Sequence, residues 1–184
     1  LEISFFMISI SFLFKILTNF TIYYQILETK QVGLVTMTYQ TLRSSDTLFF
    51  MCFLAYRLLT LLGLFMLYHI YEKKQSITNL IIVVYLIIML TYFSHSAYYI
   101  FHITSLLFLA LITIKYHLMY KKYKVGTTKL LTYSFAVIGI SQILFVFIMF
   151  NELLYVTAEI VQLIGYSILL LTFITVLRHG KKKK

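Results

Sequence analysis

Proline and tryptophan are absent from this 184-residue chain, and cysteine occurs once, at Cys52. Without proline, no helix is kinked by a missing amide donor. A single cysteine excludes a disulfide within the chain and a cysteine-rich metal site. Charge is scarce as well: 12% of the residues are charged, where a soluble domain carries about 25%. The six glycines are scattered, and no two of them stand at the small-xxx-small spacing that draws transmembrane helices together. The chain has no Gly-rich phosphate loop, no Ser–His–Asp set and no acidic metal-binding repeat. It also lacks the paired Gly or Pro breaks common in transporter helices.

Apolar sequence fills the space these absences leave. Hydrophobic residues make up 61% of the chain, and the mean hydropathy is +0.90. The apolar stretches recur at about 20 residues each, the length that crosses a hydrocarbon core of about 30 Å. A signal peptide would supply only one short apolar core. All of the 18% aromatic content is Phe and Tyr, and tyrosine suits the lipid–water boundary, with its ring buried and its hydroxyl wetted.

Charged flanks bound the runs. The predicted spans are 3–27, 47–71, 76–93, 97–120, 128–150 and 155–178, in a single transmembrane domain covering 1–184. A polar loop is expected from Glu28 to Asp46, a turn at Tyr92-Phe93-Ser94-His95-Ser96, a loop containing Gly126 and a tight turn at Asn151-Glu152. The fold expected is all-α, a polytopic antiparallel bundle of six transmembrane helices. Leu1, which is not a methionine, stands almost inside the first span. That suggests a fragment, with seven helices in the full-length product if one precedes it.

Orientation follows from Lys and Arg. Lys73, Lys74, Lys121, Lys122, Lys124, Lys129, Arg178 and the run from Lys181 to Lys184 lie at one set of loop ends. The opposite loops carry Lys30 and Arg43, offset by Glu28, Asp46 and Glu152. The first set is expected in the cytoplasm, together with the C-terminus of a multi-pass cell-membrane protein. The net charge of +10 is then accounted for by topology and by anionic lipid at the inner face, without nucleic acid as a partner.

Two echoes run along the chain. Tyr68-His69 before Lys73-Lys74 matches Tyr116-His117 before Lys121-Lys122, and Arg178-His179 precedes Lys183-Lys184 at the same distance. Interfacial anchoring by aromatic, His and Lys side chains would produce most of this unaided. More faintly, Phe5, Ile8, Ile10 and Ser11 align with Phe135, Ile138, Ile140 and Ser141. A repeated two-helix hairpin would leave such a trace.

Polar groups inside spans are costly and are the natural site candidates. Lys15 and Asn19 lie in the first span, Arg57 in the second, His102 in the fourth and Gln142 in the fifth. In the sixth, Tyr155, Glu159, Gln162 and Tyr166 recur at spacings of four, three and four, on one stripe. Most of these lie in the half of the membrane away from the lysines. One reading is an outward-opening polar pocket for a small polar or anionic ligand, built from Lys15, Asn19, Arg57, His102, Gln142, Glu159 and Gln162. The other is an interhelical hydrogen-bond and ion-pair network that only holds the bundle together. Bis-histidine haem would need imidazoles facing one another from two helices, and His102 has only His95 near its depth. Zinc held by His95, His102 and Glu159 is weaker still, so no cofactor or metal is expected. Asn19-Phe20-Thr21 has the form of a glycosylation acceptor but falls within a span.

The segment YVTAEIVQLIGYSILLLTFITVLR from Tyr155 to Arg178, with HGKKKK after it and FHITSLLFLALI in the fourth helix, resembles uncharacterised archaeal multi-span membrane proteins. Their layout looks like that of the seven-helix membrane sensor modules of histidine kinases. The resemblance covers helices 4 to 6 best and carries no functional residue across. It implies a sensory, ligand-binding or scaffold membrane module. With no signalling domain expected after Lys184, a signalling partner or a homo-oligomer would carry the output. The alternatives are a small transporter or permease subunit and a membrane-embedded enzyme or haem electron carrier, with a non-enzyme expected.

Overall fold

A computed structural model describes residues 2–31, 35–70, 77–94, 96–151 and 153–181. The elements are α1 (Glu2–Gln31), α2 (Val35–His69), α3 (Ile77–Phe93), α4 (Tyr98–Tyr123), α5 (Gly126–Val146) and α6 (Leu153–Lys181), with a single 3-10 turn at Phe147–Phe150 between the last two. No strand occurs among the described residues. The all-α class and the six helices agree with the sequence. Among the described residues five helices contain stretches long and apolar enough to cross a bilayer: Ile3–Phe20, Thr47–His69, Tyr98–Tyr123, Gly126–Phe150 and Leu153–Val176. This is a membrane protein.

Two boundaries differ from expectation, the first for a physical reason. The polar stretch from Glu28 to Asp46 is helical apart from 32–34, which lie outside the described residues, so α2 begins at Val35 rather than near 47. Polarity ends the apolar run without ending the helix, because Gln, Lys, Arg and Glu are good helix formers and no proline intervenes. Gly126, expected in a loop, opens α5. The third helix, α3, has 17 residues, and its apolar part is Leu80–Phe93. At about 1.5 Å per residue it rises roughly 25 Å, less than the hydrocarbon thickness of about 30 Å.

Within the chain two compact units are described, Leu1–Met66 with Gln75–His95, and Leu67–Lys74 with Ser96–Lys184. In the first unit α1 and α2 pack antiparallel at very close range. Ile8 seats on Gly63, where an added Cβ would lie 2.6 Å from Ile8 Cγ1 and 3.1 Å from the Ser4 carbonyl oxygen. One turn along, the Thr60 hydroxyl lies 3.0 Å from the Ser11 hydroxyl.

In the second unit α5 packs on both α4 and α6, and its buried residues divide between the two neighbours. Phe135, Gly139 and Gln142 face α4, with Phe135 stacked on Tyr116 at 5.5 Å and Gly139 against Leu106 and Leu109. Ser134 and Ile138 face α6, where an added Cβ at Gly165 would lie 2.6 Å from Ile138 Cγ1. A short turn joins α4 to α5. Lys124 takes the left-handed conformation (φ 51°), and its N–H donates to the Tyr120 carbonyl at 2.7 Å, closing α4. At the other end Asn151 makes the expected tight turn, its Oδ1 accepting from the Leu153 N–H at 2.9 Å.

The glycine contacts set a prediction. Gly165→Ala drives a methyl group into Ile138 and should destabilise the protein by about 1–3 kcal/mol. Gly126→Ala meets nothing within 4 Å and should leave the thermal midpoint in detergent unchanged or higher. A Gly165→Ala midpoint equal to wild type would mean that the helices are not in contact there.

Candidate functional site

The end of the second unit opposite the α4–α5 turn gathers the first turns of α4, the last of α5 and the first of α6. There the His102 Nδ1–H donates to Gln142 Oε1 at 2.8 Å. The amide is oriented from its other end: Gln142 Nε2 lies 3.4 Å from the Ser141 hydroxyl, which itself donates to the Ile138 carbonyl at 2.7 Å. With the proton on Nδ1, a neutral imidazole carries its acceptor at Nε2.

Aromatic rings wall the imidazole. It stacks on Phe145 (centroids 4.7 Å apart, 17° between planes) and meets Tyr98 and Phe101 edge-on at 6.2 and 5.1 Å. Tyr155 of α6 closes edge-on against Phe145 at 5.9 Å, and the Tyr98 hydroxyl donates to the Val146 carbonyl at 3.3 Å. On the following turns of the Tyr155 stripe, Glu159 is half-buried and Gln162 buried. One turn further into α4, Ser105 is 1% exposed and its hydroxyl has no hydrogen-bond partner. Such an orphan is expensive in an apolar interior unless something else satisfies it. The arrangement offers hydrogen-bonding groups between flat apolar walls, which is the chemistry of recognition.

The seven candidate residues divide between the units. His102, Gln142, Glu159 and Gln162 belong to the second; Lys15, Asn19 and Arg57 belong to the first. There Arg57 is 4% exposed, its guanidinium lies over the Phe53 ring at 3.7 Å and one of its terminal N–H groups donates to the Ser94 carbonyl at the end of α3. Lys15 is half-buried with its ammonium 5.9 Å from the centre of the Tyr56 ring, and Asn19 is exposed. His95, the other half of the haem and zinc readings, lies outside the described residues, as do Glu152, Lys73 and Lys74. Among the described residues no three His, Cys, Asp or Glu side chains gather to hold a metal ion.

Tyr98, Phe101, Ser105 and Phe145 were not singled out from sequence. The available signal was helical spacing, with Tyr98 four residues before His102 and Phe145 three after Gln142, but such spacings are common on apolar helices. At the other end of the unit, lysines lie against tyrosine faces: Lys115 over Tyr68 at 4.0 Å, and Lys129 near Tyr120 and Tyr133 at 6.0 and 5.8 Å. Comparison of the chain with known protein families, with curated proteins and with solved structures finds no match.

Gln142→Leu removes the acceptor of the His102 N–H and should lower stability by about 1–3 kcal/mol. Asn19→Leu replaces an exposed polar group within an apolar stretch and should not lower it. Thermal unfolding in detergent reads both, and equal losses would mean that burial does not rank these residues.

Proposed function

We propose that this chain is a multi-pass sensory or ligand-binding module of the cell membrane, with its C-terminus cytoplasmic and a small polar or anionic ligand recognised at the His102–Gln142 end of the second unit. The observation that carries this reading is the oriented His102–Gln142 pair between aromatic walls, with the orphaned Ser105 hydroxyl one turn deeper. In this orientation the lysine-and-tyrosine end of the unit meets anionic lipid at the inner face, and the output passes to a signalling partner or a second copy of the chain.

A thermal-shift screen of the detergent-purified protein against small carboxylates, phosphates, amines and amino acids tests the site. A ligand present at a hundred times its dissociation constant stabilises the folded state by about 2.7 kcal/mol. His102→Ala should abolish that shift. Ser105→Ala should weaken it while leaving the unliganded midpoint intact, which separates recognition from packing. A panel in which no compound shifts the wild-type midpoint counts against the site, and flux of a hit compound through proteoliposomes would make the protein a permease instead.

Orientation has its own test. In a Cys52→Ser background, Asn151→Cys should react with a membrane-impermeant maleimide on intact cells, and Val125→Cys only after permeabilisation. The reverse pattern would turn the topology over.

A further inference from the structure

We infer that α1–α2 and α5–α6 are two copies of one helical hairpin, duplicated within the chain. The first arms align with a shift of 130 residues, from Ser4 to Ser134, and five of the eight positions from Ser4 to Ser11 keep the same residue. The second arms align on Gly63 and Gly165. Each unit, taken separately, then repeats the same contact. An isoleucine, Ile8 or Ile138, seats on the glycine with its Cγ1 2.6 Å from where a Cβ would stand. The carbonyl oxygen of the serine one turn earlier, Ser4 or Ser134, lies next to it at 3.1 or 3.4 Å. The serine three residues after the isoleucine donates to the isoleucine carbonyl in both, Ser11 at 2.6 Å and Ser141 at 2.7 Å.

Packing alone asks for a small residue beneath a branched one. It does not ask for Ile10 and Ile140, since Ile140 is 53% exposed and no part of the contact. Identity at a position the contact does not constrain points to common descent rather than convergence.

The duplication gives the candidate polar residues a common frame. Three positions before the glycine stand Thr60 and Gln162, both buried; six before it stand Arg57 and Glu159, of opposite charge. Both copies therefore carry a buried hydrogen-bonding group near the glycine contact, and they have diverged in charge one turn further along. The first copy is longer: 49 residues separate Ser11 from Thr60, against 21 from Ser141 to Gln162. Both of its arms run on as helix beyond the apolar stretches.

Two experiments bear on this. Since Ser11 meets Thr60, the repeat requires Ser141 to stand beside Gln162. In the full chain carrying Cys52→Ser, the pairs Ser11→Cys/Thr60→Cys and Ser141→Cys/Gln162→Cys should both cross-link on mild oxidation, about tenfold or more faster than pairs shifted by one residue, because disulfide geometry tolerates little displacement. Failure of the second pair while the first cross-links overturns the proposal. Separately, residues 3–20 are replaced by 133–150, or by 98–115 from α4 as an equally long apolar control. The α5 arm should give a monodisperse protein with a cooperative melt and the α4 arm should not; two arms that behave alike, whether both fold or both fail, would also overturn it.

Discussion

A hydroxyl inside a bilayer has no water to bond, and leaving it unmatched costs several kcal/mol. This chain carries many such groups, and most of the described ones are matched locally, with Ser4, Ser105 and Thr113 the buried exceptions. Ser11, Thr18, Thr91, Ser94, Ser134 and Thr172 all donate to a carbonyl three or four residues back on their own helix. The arrangement lets small polar residues occupy helix contacts without depending on the neighbouring helix for a partner. Bonds between membrane helices average only about 0.6 kcal/mol, so the bundle depends mainly on close packing. Gly63 and Gly165 supply that packing; beside them the Ser11, Ser134 and Ser141 hydroxyls are occupied by their own helices, while the buried Ser4 hydroxyl has no partner. The exceptions stand out against this background, and Ser105 is one of them.

The larger side chains follow a different rule, since their polar ends are too far from their own backbone to be matched there. Arg57 reaches the end of another helix and lays its guanidinium on a phenyl ring, replacing water with a carbonyl and a π-face. Gln142 bridges a serine on its own helix and a histidine on the preceding one, α4. Lys115 shelters over Tyr68 near the end of its helix. Each of these ties one helix to another at a specific rotation, which a self-bonded serine does not do.

Hydropathy and charge made the helix count and most helix ends legible. Lys121-Lys122-Tyr123-Lys124 marked the close of α4, because lysine ammoniums anchor at the interface. The start of α2 was not legible, since a change in polarity says where lipid ends and not where the helix does. The glycine contacts were hidden for another reason: each uses one glycine on one helix and an isoleucine on the other, so no motif within a single segment announces them. The site was half legible. His102, Gln142 and the α6 stripe were visible as polar groups in apolar spans, but which of them meet depends on helix rotation, and a single sequence carries no information on that.

The turn at Lys124 bears on how the chain is made. Tyr116 and Phe135 touch across a connection so short that α4 and α5 can pair as soon as both have left the ribosome. Synthesis runs at about 5–20 residues per second, so the 29 residues of α6 arrive a second or more later, while helix pairing takes far less time. During that wait the face of α5 destined for Gly165 lies open to lipid. Ser134 and Ser141, already bonded to the carbonyls of Leu130 and Ile138, make the delay harmless: both serines on that face of α5 meet the bilayer with their hydroxyls occupied, and α6 can dock whenever it is delivered.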